Sequence, residues 1–428
     1  MKEIFKNGTF VKLFFASITS QMGSIIGNMA FAFYLLDHFS NQPYLATLAE
    51  LMYSIPALVV FLFVGVLADR LDRQKIAEYS DWIRAALTMI LFVSVFLDFI
   101  PLTFAILFIR SAVSKFFFPA EAGLVQGVLT KEQYQTAAGI NQMIFSVFML
   151  FGVGLGALTY MTVGIYGALV VDGLSFLVSA LLIRSCLISA EARMPNGKTS
   201  LKDLSFKQTV SDFKKGGDYI YKNKLLLTII LGFFIISFIN GGFAILPLFT
   251  MKYKLAPENY EWYVSLFAIC LGIGAFVGSY LSATIGKKFK PHVLVIFAVL
   301  MTVATIVGMG FSDSAWLYLV FVGLTGLMIA PMNVALAGWL PTLVDPSYMG
   351  RVNGWIDPLM MLGQSIALGL IALLFPKIIT SVDYVYYGFA FLMLMVGLFY
   401  AVTLPKLSKK ETEVEVAVEK VMKTEVQV

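Results

Sequence analysis

Charge is scarce in this sequence. Lys, Arg, Asp and Glu make up 13% of the 428 residues, against about a quarter in an average soluble domain. Cysteine and histidine are scarcer, at two each. Cys186 and Cys270 fall in different apolar segments, which excludes a disulfide framework and a paired-cysteine metal knuckle. His38 and His292 lie far apart, each near the end of an apolar run. No zinc or haem constellation can be assembled from them. A phosphate cradle of the GxxxxGK(S/T) type is also missing, and with it the means to drive transport by the chain's own ATP hydrolysis. The sequence therefore reads as a protein without enzymatic activity, metal or other cofactor, and without a nucleic-acid partner.

Apolar residues are what the chain has in excess. They make up 59% of it, and the mean hydropathy is +0.84. Crossing a bilayer takes about 20 apolar residues, and twelve such runs can be counted: 11–36, 44–68, 76–97, 101–123, 137–162, 165–186, 225–250, 261–285, 292–311, 315–340, 353–376 and 381–404. The expected fold is an all-α integral membrane protein of twelve transmembrane helices. The first run is too long for a cleaved signal, whose apolar core is about 7–15 residues, and reads as a retained span.

An even number of spans puts both termini on one side, and Lys and Arg decide which. Of the 31 basic residues, 25 fall on the side of the termini, three opposite them (Lys252, Lys254 and Lys377) and three within spans (Arg84, Arg110 and Lys115). This split predicts a multi-pass protein of the cell (cytoplasmic) membrane with both termini in the cytoplasm.

Residues 187–224 separate spans six and seven and are long for a connection between packed helices. Phe206, Val210, Phe213 and Ile220 recur there at helical spacing, predicting a short amphipathic helix on the inner membrane surface. Residues 406–428 alternate Glu and Val with scattered Lys, which predicts a disordered or marginally helical cytoplasmic tail. The organisation is then a six-helix half at 1–186, a linker at 187–224, a second six-helix half at 225–405 and the tail. A repeat supports the two halves. Asn28, Pro119 and Asn141 recur as Asn240, Pro331 and Asn353 at an offset of 212, and Gly65 and Lys75 recur as Gly278 and Lys288 at 213. Two halves around a central site is a common transporter plan.

The stretch Gly65-Val-Leu-Ala-Asp69-Arg70-Leu-Asp72-Arg73-Gln-Lys75 resembles the signature loop G-x-x-x-D-R-x-G-R-R/K between helices two and three of the major facilitator superfamily. Asp72 stands where that loop usually has Gly. Ser20-Gln21-x-Gly23, Ile55-Pro56, Asp81-x-x-Arg84-Ala85, Phe118-Pro119-Ala120, Asn141-Gln142, Asp172-Gly-Leu-Ser175-Phe176 and Gly350-Arg351-Val352 are similar to one branch, the drug and siderophore exporters that include macrolide-efflux pumps. The resemblance spans about residues 8–404. Two departures bear on direction and coupling. Helix five reads Gly152-Val153-Gly154-Leu155-Gly156 without the proline of the antiporter signature. Ser24 replaces the acidic residue that often follows Ser-Gln-x-Gly.

The resemblance implies a gate built from Gly65, Asp69, Arg70, Arg73, Lys75 and Glu121. Asp69 would face the start of span eleven, around 354–355, where a helix dipole favours a carboxylate by about 0.3–1 kcal/mol when exposed. Arg73 would pair with Glu121. Such contacts would hold the halves closed on the inside. The alternative is that these cations only enforce topology.

Charges inside spans cost about 2.5–3.5 kcal/mol at the helix centre and mark function by default. Arg110 lies near the middle of span four, on one face with Ser114, Phe117 and Glu121. It reads as a coupling or binding residue, or as half of a structural ion pair. Glu50 is the expected proton carrier, with Asp172 as its rival, although the family plan makes helix six peripheral. Asp81 and Arg84, at i and i+3, are expected to pair. Lys115 points to another face and has no assigned role. Ser17, Gln21, Ser24 and Asn28 form a polar stripe at i, i+4, i+7 and i+11. Gln21, Ser24 and Asn28, with Asn240, Asn333 and Gln364, are the expected substrate contacts. Isolated amides can instead hold helices together, at about 0.6 kcal/mol each.

The expected function is secondary active transport: a monomeric, proton-coupled exporter of amphipathic small molecules, drug-like, macrolide-like or siderophore-like. Its partners would be the substrate, protons and the lipid bilayer. A proton-independent facilitator or importer of a small solute, and a non-transporting receptor or scaffold, remain alternatives.

Overall fold

The computed structural model describes residues 4–194, 206–285, 289–344 and 348–425, and every regular element among them is helical. The helices are α1 (Gly8–His38), α2 (Tyr44–Arg70), α3 (Arg73–Phe96), α4 (Ile100–Val128), α5 (Lys131–Arg184), α6 (Ala190–Arg193), α7 (Phe206–Lys222), α8 (Lys224–Phe243), α9 (Leu246–Thr250), α10 (Tyr260–Ile285), α11 (Pro291–Gly310), α12 (Ala315–Leu343), α13 (Met349–Leu374) and α14 (Val382–Glu425). Eleven helical stretches among the described residues are long and apolar enough to cross a membrane. Helices suit that solvent because each satisfies its own backbone hydrogen bonds.

Spans five and six of the sequence come as one 54-residue helix, α5. A straight helix of that length would reach about 80 Å, well beyond a hydrocarbon core of ~30 Å. Gly164 breaks it, with φ 65° and ψ −171°. This left-handed backbone suits a residue without Cβ, and it falls between the two expected spans. Span seven also changes course. α8 ends at Phe243, just beyond Gly241-Gly242, and the chain resumes as α9 and then a π-helical turn at Met251–Leu255.

Packing divides the chain into two units. Unit 1 comprises Met1–Thr209, Gly241–Ile269 and Gln364–Ile378, and unit 2 comprises Val210–Asn240, Cys270–Gly363 and Ile379–Val428. In unit 1, α1 lies along α5 and α3 packs against both α4 and α5. Phe10, Leu13, Phe117, Leu124 and Ile183 form one end of its core. In unit 2, α11 packs against α12 and α14. The hydroxyls of Tyr318 and Tyr386 share a 2.8 Å hydrogen bond, and Tyr400 Oη donates to the Ile229 carbonyl at 2.9 Å.

The amphipathic linker helix exists as α7, but protein takes its aromatic face where a membrane surface was expected. Phe213 stacks on Trp355 at 4.1 Å, and Trp355 Nε1 donates to the Phe213 carbonyl at 2.7 Å. Tyr219 stacks on Tyr348 at 4.6 Å. Ile220 is buried with Leu226, Val352 and Ile356. Aromatic rings that stack in this way gain about 0.5–1.5 kcal/mol beyond their buried area. The tail takes the helical of its two expected forms: α14 continues through Pro405 to Glu425. Its Glu, Lys and Ala are good helix formers.

Candidate functional site

The polar stripe of α1 opens onto a cavity of about 210 Å³ within unit 1. Gln21, Ser24 and Asn28 line it from α1, Tyr53 from α2, Arg84 from α3, and Arg110, Ser111, Ser114, Lys115 and Phe118 from α4. Ser17 lies one turn before Gln21, whose Nε2 donates to its hydroxyl at 2.9 Å.

Two buried Arg–Asp pairs form the wall. Arg84 Nη1 donates to Asp81 Oδ1 at 2.8 Å and to Ser20 Oγ at 2.9 Å, and Nη2 donates to Ser24 Oγ at 2.5 Å. The guanidinium carbon sits 3.9 Å from the Phe176 ring centre, a cation–π contact. Arg110 Nη1 donates to Asp172 and to Thr88 Oγ1 at 3.1 Å, and Nη2 donates to Asn28 Oδ1 at 2.7 Å. Arg110 is 5% exposed and Asp172 is 0% exposed. The network joins α1, α3, α4 and α5 through side chains alone. Breaking a buried pair by removing one partner typically costs about 3–5 kcal/mol, because the other charge is left uncompensated.

These partners answer a question that the sequence left open. The carboxylate that meets Arg110 belongs to Asp172, not Glu50. Asp172 sits on the sixth apolar span, which the family plan makes peripheral. It reaches inward because α1 presents no side chain at Gly27. A Cβ there would lie 2.7 Å from Asp172 Oδ2. Gly23 plays the same part toward Ser175. The pair Gly23-x-x-x-Gly27 was the signal in the sequence, since small residues four apart let helices approach closely. Glu50 has no ion-pair or hydrogen-bond partner among the described residues. It lies within electrostatic reach of the cavity residue Tyr53, as do Arg110 and Asp172.

The sequence reading also missed Lys115. Its signal was the stripe Ser111, Ser114, Lys115 and Phe118 at i, i+3, i+4 and i+7, which lies on one helix face. Of the other expected contacts, Gln364 belongs to unit 1, where its backbone packs against Gly241. Asn240 and Asn333 are exposed residues of unit 2. None of the three lines this cavity.

For the gate, the side chains of Gly65, Asp69 and Arg70 lie outside the described residues. The expected pair of Arg73 with Glu121 does not form. Arg73 Nη1 donates instead to the Gly123 carbonyl at 3.4 Å. Its guanidinium occupies the space that a Cβ on Gly123 would fill, and Glu121 is buried. Lys75 is exposed, and its backbone N–H donates to Asp72 Oδ1 at 3.3 Å.

Asp72 itself is a hub. It caps α3 by accepting from the N–H of Gln74 at 3.1 Å, and it binds Arg193 of α6 through Nη2 and through Nε at 3.0 Å. Burial works to raise its carboxyl. The hydrogen bonds from Arg193 and Lys75 outweigh that and hold it below its ordinary value.

A second polar cluster in unit 1 surrounds Asp37, near the C-terminal end of α1. Its carboxylate accepts from Lys252 Nζ at 2.6 Å, Tyr260 Oη at 2.8 Å and Tyr160 Oη at 2.9 Å. Tyr253 Oη donates to the Ser40 carbonyl at 3.1 Å.

Comparison with known proteins agrees with this architecture. A family model described as Major Facilitator Superfamily matches residues 13–368 and 242–425. The chain is 55% identical over 414 residues to the uncharacterized MFS-type transporter YkuC of Bacillus subtilis (strain 168), covering 97% of this chain and 96% of that protein. It is 26% identical over 377 residues to macrolide efflux protein A of Streptococcus pyogenes, covering 86% of this chain and 90% of that protein. Among solved structures, the nucleoside transporter NupG superposes with a TM-score of 0.72 at 10% identity, over 92% of this chain and 99% of that one. At that identity the likeness concerns the fold alone.

Proposed function

The chain belongs to the Major Facilitator Superfamily and is a membrane transporter of that type, and from this premise we propose that it is a proton-coupled exporter of amphipathic small molecules. The observation that carries the proposal is the cavity of α1 and α4, with polar side chains and a buried Arg110–Asp172 pair, in a chain related to a macrolide efflux protein. In this reading both termini are cytoplasmic, and the halves 1–186 and 225–405 are joined by the linker 187–224.

Gln21, Ser24 and Asn28 contact the substrate from the cavity of unit 1. Glu50 carries the proton. A carrier needs a group that is protonated in one facing state and ionised in the other, and substrate affinity must differ between those states. Glu50 fits because no cation locks its carboxylate in the ionised form. Arg110 and Asp172 hold α1 and α4 in register beside it. The signature residues Gly65, Asp69, Arg70, Arg73, Lys75 and Glu121 control the inner side. The Asp37 cluster lies at the outer end of the same unit.

The test is reconstitution of the full chain in liposomes with an imposed pH gradient and a panel of amphipathic compounds. Concentrative, gradient-dependent movement with a matching proton flux supports the proposal. Movement that only equilibrates the substrate makes the protein a facilitator. No movement of any compound, from protein that remains folded, favours a receptor or scaffold.

A further inference from the structure

Lys115 stands fifteen residues from the start of α4 and thirteen from its end. At 1.5 Å per residue it is about 20 Å from either end, too deep for its stem to carry the ammonium to an interface by snorkelling. It lines the polar cavity. No hydrogen bond or ion pair engages it among the described residues. The charge that bears on it is the guanidinium of Arg84, of like sign.

The other polar groups of the cavity show what it lacks. Arg84 and Arg110 are already neutralised by Asp81 and Asp172. The hydroxyls of Ser24, Ser111 and Ser114 donate to backbone carbonyls of Ser20, Tyr53 and Ser111. Asn28 accepts from Arg110 through Oδ1, so its amide NH2 remains as a donor. The unused capacity therefore includes three ammonium N–H groups, the amide NH2 and the unpartnered Tyr53 hydroxyl, with one uncompensated positive charge on Lys115. A buried charge of this kind is costly until it is paired.

We propose that this cavity selects substrates bearing a single carboxylate, bound between the ammonium of Lys115 and the amide of Asn28. The proposal rests on the reading of the chain as a carrier of amphipathic small molecules, and it names the head group of that class. One carboxylate restores neutrality, whereas a phosphate dianion would leave an excess negative charge. The small volume confines the anchored group to the size of a short acid, with the apolar part extending past Tyr53 and Phe118.

The test uses the full chain in lipid nanodiscs and two probes of nearly equal shape, radiolabelled 4-phenylbutyrate and 4-phenylbutyramide, in equilibrium binding near neutral pH. The acid is expected to bind at least tenfold more tightly than the amide. Lys115→Gln should bring that ratio to about one through loss of acid affinity, with the protein still folded, and Lys115→Arg should retain the preference. Equal affinities in the unsubstituted protein overturn the proposal. So does a preference that survives Lys115→Gln, or the absence of saturable phenylbutyrate binding. Liposome flux of the same probes separates the two readings. Lys115-dependent binding without movement removes the transporter reading alone, and equal movement of acid and amide removes the carboxylate site alone.

Discussion

Gly27 and Asp172 touch because one of them has no side chain. A Cβ at residue 27 would stand 2.7 Å from Asp172 Oδ2, in the space that lets this carboxylate reach Arg110. Gly27→Ala should therefore displace Asp172 and destabilise the protein by about 1–3 kcal/mol, as overpacking does. A lowered thermal midpoint in detergent is the expected readout. An unchanged midpoint would mean that the carboxylate moves aside without losing its partner.

The Arg110–Asp172 pair can be separated into its structural and functional parts. Arg110→Met alone leaves a buried carboxylate uncompensated and should cost about 3–5 kcal/mol. Arg110→Met combined with Asp172→Leu should recover most of that loss, because a hydrophobic pair of similar volume is tolerated. Transport by the double variant should nevertheless be lost. Normal flux in liposomes would reduce the pair to a helix clamp.

Glu50→Gln should abolish pH-gradient-driven export while retaining substrate exchange between two sides at equal pH. The substitution keeps shape and hydrogen bonding but removes the titrating proton. Export that still follows the pH gradient in this variant would move the proton site to Asp172.

The contact between Asp72 and Arg193 should depend on pH. The folded-state carboxyl of Asp72 lies below its ordinary value of 3.8, so its contribution is fully present above that value. It is lost as pH falls through the folded value. The pair is partly exposed, which limits it to about 0.2–1 kcal/mol. The protection of amides in residues 187–194, taken relative to their intrinsic exchange at each pH, should fall as the pH drops below about 4, and Asp72→Asn should show the lower protection already at neutral pH. Equal exchange in both proteins at neutral pH would mean that α6 is held by its apolar contacts alone.

Orientation is tested by cysteine labelling in a protein with Cys186 and Cys270 replaced. Asn41→Cys should react with an impermeant thiol reagent added to intact cells, and Ser211→Cys should react only after permeabilisation. Both positions are exposed. The opposite pattern would invert every inner and outer assignment made above.

Composition and periodicity were enough for an all-helical membrane protein, because about 20 consecutive apolar residues have no other stable use in water. Gly65 to Lys75 and the α1 stripe likewise placed the family and one wall of the cavity, since a motif is read along the chain and a helix face by its period. The identity of ion-pair partners was of another kind. Arg110 could have met Glu50 or Asp172, and Arg73 could have met Glu121. Which pair forms depends on how closely two helices approach, and that distance is set by side chains absent from the opposite helix, at Gly27 in one case and Gly123 in the other. Lys115 shows the same limit. Its sequence neighbours give it a face, but only the packing of α1 and α3 against α4 closes a polar cavity around it in which Asp81 and Asp172 are already held by Arg84 and Arg110.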